Sequence, residues 1–216
     1  MTRFLSLVCT SLVVSCVLLA TAPPVSAQVG KAVTIVDPNV AGEADLAKLP
    51  HMNAAIAKAL VARRPLLDMT AVDMFLTGQK LTRPQLTELY GRMFVPLNLN
   101  TASDTEIQLI PNLGPRMLRE FHEYRPYKTL AVFHREIDKY VDDAELARLE
   151  QYVFVPIDLN VASDADILTI PGLGARMLRE FKEYRPYKAM DQFRREMGKY
   201  VSKEEVARLE RYVAIN

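Results

Sequence analysis

The chain has 216 residues, half of them apolar, with two cysteines, no tryptophan and 27 basic against 26 acidic side chains. That balance excludes the broad basic excess by which bulk nucleic-acid binding normally shows itself, so any such binding has to rest on a local patch. Both cysteines, Cys9 and Cys16, fall in the first 27 residues, so neither a disulfide framework nor a thiolate site is expected in the rest.

In chain order, Arg3 precedes an apolar stretch from Phe4 to Ala20, which Pro23-Pro24 and the small-residue run Val25-Ser26-Ala27 then follow. This reads as a secretory signal peptide over residues 1–27, cleaved near Ala27-Gln28; a retained anchor is the alternative, because the apolar stretch approaches the roughly 18–20 residues of a membrane span. The remainder is expected in the periplasm or outside the cell. Arg3 is the signal's single charge, so residues 28–216 carry 26 bases and 26 acids.

Beyond an N-terminal extension at 28–36, the chain repeats itself. Asn100-Thr101-Ala102-Ser103-Asp104 returns as Asn160-Val161-Ala162-Ser163-Asp164, and Glu123-Tyr124-Arg125-Pro126-Tyr127-Lys128 as Glu183-Tyr184-Arg185-Pro186-Tyr187-Lys188, each at an offset of 60. A worn copy precedes them: Asp37-Pro38-Asn39 aligns with Asp158-Leu159-Asn160 and Arg64-Pro65 with Arg185-Pro186, with one inserted residue between Pro65 and Leu81. The expected units are 37–97, 98–157 and 158–216.

Within a unit the signals are helical and no strand is expected. Ser103 with Glu106 forms a capping box ahead of Ile107 and Ile110, and Pro111 should end this first short helix. Gly114, or Gly172 and Gly174 in the third unit, should supply the positive φ of a tight reversal. Met117, Leu118, Phe121 and Tyr124 then fall on one face of a second helix closed by Pro126. Two more helices are predicted, one including Val132 to Ile137 and one including Ala144 to Val153.

The run Leu99-Asn100-Thr101-Ala102-Ser103 and the turn Ile170-Pro171-Gly172-Leu173-Gly174-Ala175-Arg176 resemble the helix-hairpin-helix module of ComEA-like exported competence proteins, and the likeness covers nearly all of residues 28–216. The fold class it implies is all-α, as tandem, partly degenerate helix-hairpin-helix units of the small SAM-like kind. What it implies for function is sequence-independent binding of double-stranded DNA in its uptake: hairpin amides and a helix N-terminus hold a phosphate, with a nearby cation. Carried over residue by residue, this marks Gly172, Leu173, Gly174, Arg176 and Arg179 in the third unit, with Lys182, Arg185 and Lys188 nearby. In the second unit it marks Asn112, Leu113, Gly114, Arg116 and Arg119. The first unit has His51-Met52-Asn53 here and no glycine. The loops at Lys139-Tyr140-Val141 and Lys199-Tyr200-Val201 stand where a second hairpin would be.

The third unit, with 11 bases to 10 acids, is the better expected anion site than the second, with 7 to 10. The same module also serves structural roles, as in the PsbU-type photosystem subunit, so the alternative is a structural or protein-interaction module of the envelope. The tyrosines around Pro126 and Pro186 read as buried rings with hydroxyls at the edge rather than as stacking platforms. The three histidines, His51, His122 and His134, have no carboxylate or second histidine at ligand spacing. With no metal site, phosphate-cradling loop or activated nucleophile in view, no cofactor and no enzyme activity are expected.

Overall fold

Each capping signal in the sequence starts a helix in the computed structural model, which describes residues 35–216. The expected signal segment lies outside these residues. The described chain is mainly helical, with twelve helices in three successive sets of four. The first set is α1 (Glu43–Leu46), α2 (Ala54–Val61), α3 (Met69–Gly78) and α4 (Arg83–Tyr90). The second is α5 (Asp104–Ile107), α6 (Pro115–Glu123), α7 (Leu130–Ile137) and α8 (Asp143–Glu150), and the third α9 (Asp164–Ile167), α10 (Ala175–Glu183), α11 (Met190–Met197) and α12 (Lys203–Glu210).

The Ser103 hydroxyl accepts from the Glu106 amide, whose carboxylate accepts in turn from Ser103 N at 3.1 Å; Ser163 and Asp166 repeat the exchange before α9. Both α5 and α9 are shorter than predicted. They stop before Pro111 and Pro171 because Leu109 and Ile110, like Thr169 and Ile170, bond three residues back instead of four. The inserted residue of the first set is taken up around α3, which has ten residues where α7 and α11 have eight.

Short strands do form, against expectation. β1 (Leu97–Asn98) pairs in parallel with β2 (Val153–Phe154), and β3 (Ile157–Asp158) with β4 (Val213–Ala214). A single parallel bridge, Val36 to Met93, holds the same place in the first set. Each set therefore begins and ends side by side. Two-residue pairs carry no alternation, and the hydrophobic period that announces a strand needs about four residues to be read.

The two repeated motifs are halves of one lock. Asn98 Oδ1 accepts from Asn100 N at 3.0 Å, and the Asn100 carboxamide then brackets Tyr127, accepting from its N–H at 2.7 Å and donating to its carbonyl at 2.9 Å. Asn160 grips Tyr187, and Asn39 grips Leu66, in the same way. Alongside, Arg125 donates to Ala102 O and Arg185 to Ala162 O, across a cis Arg–Pro bond in each set.

Around this lock the aromatic core closes. Phe121 meets Phe133 edge-on at 5.4 Å, with Tyr127 against the same ring; Phe181, Phe193 and Tyr187 repeat the group. Phe94 packs edge-on against Tyr152 at 4.9 Å, so the first two sets share one continuous core, and Phe154 lies 4.4 Å from Tyr212 of the third. The segments at Phe94 and Phe154 are thus docked rather than free linkers. The third set also reaches back, Arg211 donating to Pro96 O at 2.8 Å. Among the described residues no helix is long and apolar enough to cross a membrane.

Candidate functional site

The reversals between α5 and α6 and between α9 and α10 are set by one residue each. Asn112 has φ 59° and Gly172 φ 74°, and His51 holds the same place in the first set with φ 62°. Gly114 and Gly174 are not the positive-φ residues expected of them; they are extended, at φ −79° and −99°, and serve as helix N-caps.

Glycine caps leave the start of a helix open. A Ser, Asp or Asn at this place bonds an amide of the first turn with its own side chain, and glycine has nothing to bond with. In the first set Asn53 accepts from Ile56 N at 2.9 Å. Asp142 and Ser202 likewise close the starts of α8 and α12, and Thr82 with Gln85 boxes α4. The starts of α1, α6, α10 and α11, capped by Gly42, Gly114, Gly174 and Ala189, lack any such closure. A Cβ placed on Gly114 or Gly174 would meet nothing within 4 Å, so the approach is clear. Pro115 removes one amide from the first turn of α6, whereas Ala175 retains it in α10.

The side chains here sort into free and engaged. Arg116, Arg119, Arg176 and Arg179 are exposed and make no ion pair among the described residues. Arg116 lies 5.0 Å from the Tyr140 ring and Arg176 5.7 Å from that of Tyr200, which positions both guanidinium groups beside the helix start. Leu113 and Leu173 do not contribute as expected: their amides already donate to Ile110 O and Ile170 O, and Leu173 is buried. Lys182 is held by Asp164 at 2.6 Å, and Arg185 is spent inside the lock, so neither belongs to an anion cluster.

The tyrosines are structural. Tyr127 and Tyr187 are buried, and the half-buried Tyr124 and Tyr184 meet Tyr140 and Tyr200 hydroxyl to hydroxyl at 2.6 Å. In the second loops Lys139 and Lys199 are held by Glu136 and Glu196; those lysines, and then Arg135 and Arg195, hold both carboxyls below the usual carboxylate range.

The two open hairpins differ in their surroundings. Arg148 and Arg208 are equivalent, each donating to the carbonyl of the turn proline, Pro111 or Pro171. Yet the Arg148 side chain is 28% exposed and that of Arg208 only 3%. What covers Arg208 is the first set: Asp37 faces both Arg208 and Arg211, and Val40 lies so close to Gly172 that a Cβ there would come within 2.8 Å of Val40 Cγ1. Burial pushes the Asp37 carboxyl up, against the Asn39 amide and the two arginines, which favour its charged form.

Each histidine does face one carboxylate, contrary to the spacing in the sequence: His51 meets Glu88, His122 meets Asp104 and His134 meets Glu150, at 2.7–2.9 Å. His51 lies in a turn and Glu88 on α4, while His122 and Asp104, like His134 and Glu150, lie on different helices. Among the described residues no three metal-ligating side chains gather. The chain matches no family model, no curated protein and no solved structure.

Proposed function

We propose that this chain is a non-catalytic, exported protein of tandem helix-hairpin-helix units that holds double-stranded DNA by its phosphates, without reading bases. The observation that supports this is a pair of open helix starts that also carry free arginines. Four described helix starts, α1, α6, α10 and α11, lack a side-chain or box closure, and of these only α6 and α10 carry an exposed, unpaired arginine in the first turn. Free first-turn amides, the positive end of the helix dipole and a guanidinium together suit a phosphate oxygen. A part in DNA uptake at the cell envelope comes from the family resemblance.

Two such contacts neutralise few phosphates, so binding is weak and its logarithm falls with the logarithm of salt at a slope of about −2 to −4. The test is fluorescence anisotropy with a labelled random-sequence duplex at low and physiological salt, beside a Gly114→Asp/Gly174→Asp variant. Aspartate suits the extended N-cap and would satisfy the helix start from within while adding a negative charge. The variant is expected to keep its melting temperature or gain slightly, and to lose the duplex. A parent protein that fails to bind even at low salt overturns the reading. That result would favour the second one, a structural or protein-interaction module of the envelope, which the exposed Val161 (78%) and Met74 (71%) also suit.

A further inference from the structure

The three sets meet around a cavity of about 220 Å³, whose lining includes Leu67 of the first set, Asn98, Thr101, Glu106 and Phe154 of the second, and Arg211 of the third. We propose that this cavity binds a small zwitterion with an apolar side chain, of the class of a free α-amino acid such as leucine. The inference is independent of the DNA-binding reading above.

The walls carry one positive and one negative charge, Arg211 and Glu106, and neither makes an ion pair among the described residues. Arg211 donates to Pro96 O at 2.8 Å and lies 5.6 Å from both the Phe154 and the Tyr212 rings, which hold its side chain in place. Glu106 is fixed by the capping box, where its Oε2 accepts from Ser103, and its Oε1 is left over. Asn98 uses Oδ1 on the Asn100 amide, so its Nδ2 has no partner among the described residues, and the Thr101 hydroxyl has none either. Opposite charges that share a cavity without closing on each other suit a ligand that carries both. A carboxylate matches Arg211, Asn98 and Thr101, an ammonium matches Glu106, and Leu67 and Phe154 offer apolar wall to a side chain. The volume is that of about seven waters, close to the space a valine or leucine molecule needs. The lining occurs once: where the second set meets the third, Lys128, Asp158, Val161 and Asp166 replace Leu67, Asn98, Thr101 and Glu106, and the second set has Gln151 in place of Arg211.

The test is titration of the full protein with L-leucine, followed through backbone amide resonances by NMR. Two singly charged relatives run beside it: isocaproate, which lacks the ammonium, and isopentylamine, which lacks the carboxylate. Leucine is expected to shift the amides of residues 98–106 and 211 saturably, with a dissociation constant on the order of 1 mM, and either relative to bind about tenfold more weakly. Glu106→Gln keeps the capping box, because glutamine serves at this place as glutamate does, and should weaken leucine about tenfold without weakening isocaproate. Arg211→Gln, which installs the residue of the second set, should weaken leucine and isocaproate and spare isopentylamine. Thr101→Val, which installs the residue of the other two sets, should weaken leucine about threefold with the melting temperature unchanged. Glu106→Gln and Thr101→Val decide the matter even where Arg211→Gln loosens the junction by losing its bond to Pro96 O. No saturable shift at these residues, at leucine concentrations about tenfold above the expected constant, overturns the site. Equal binding of all three compounds, or leucine binding that neither Glu106→Gln nor Thr101→Val alters, overturns the zwitterion as its ligand.

Discussion

Position 37 shows how one place in a repeat changes meaning with its neighbours. Asp37, Asn98 and Asp158 all accept a hydrogen bond from the amide two residues on, so carboxylate and carboxamide serve the turn equally. Only Asp37 is also enclosed by another set, and burial raises its pKa despite Arg208 and Arg211. A raised value means the folded protein binds this proton more tightly than the unfolded chain does. The associated stability is fully present below the ordinary 3.8 and is lost as pH rises through the folded value. Asp37→Asn is therefore expected to raise the melting temperature at neutral pH, with the gain shrinking on acidification through the raised value and vanishing below the ordinary one; thermal melts across pH check it. Asn160 is the opposite case, since its carboxamide is the partner of both backbone groups of Tyr187. Asn160→Ala leaves that N–H and C=O unmatched and should cost about 2–4 kcal/mol in urea denaturation, whereas an exposed cap would cost about 1 kcal/mol.

Among the helices, what distinguishes one start from another is a single side chain. Asn53 closes α2 and glycine leaves α6 and α10 open, so Asn53→Ala should cost about 1 kcal/mol and Asn53→Gly only a few tenths, a difference that denaturation can resolve. Much of this level was legible in the sequence. The boxes at Ser103 and Ser163 and the apolar face of Met117 and Phe121 are local patterns, and α5 to α12 lie close to where those patterns put them. The ends were less legible, because whether a last turn tightens to three-residue bonds depends on what Ile107 and Ile110 pack against. Gly172 has the positive φ its residue type suggests, but in the second set that place falls to Asn112, two residues before Gly114, and Gly114 and Gly174 instead cap their helices with no side chain to bond the helix start.

At the level of the whole molecule the couplings join residues far apart in sequence. The 115-residue reach from Arg211 to Pro96, the approach of Val40 to Gly172 and the grip of Asn100 on Tyr127 leave no periodic trace in the sequence. Phe94 is the side chain that joins the first two sets, packed between Tyr90 and Tyr152. Phe94→Ala should cost about 3–5 kcal/mol and broaden the melting transition as the shared core loosens, which calorimetry would show. The parallel pairing of the first and last residues of each set has a different consequence. A set that leaves the chain path where it joined it is a closed detour: one more could be spliced in at Pro96 or Pro156, or one taken out, and the chain on either side would still meet in the same place and direction. Lengthening such a protein by copying keeps the chain path, at the cost of contacts that span two sets, such as Arg211 with Pro96.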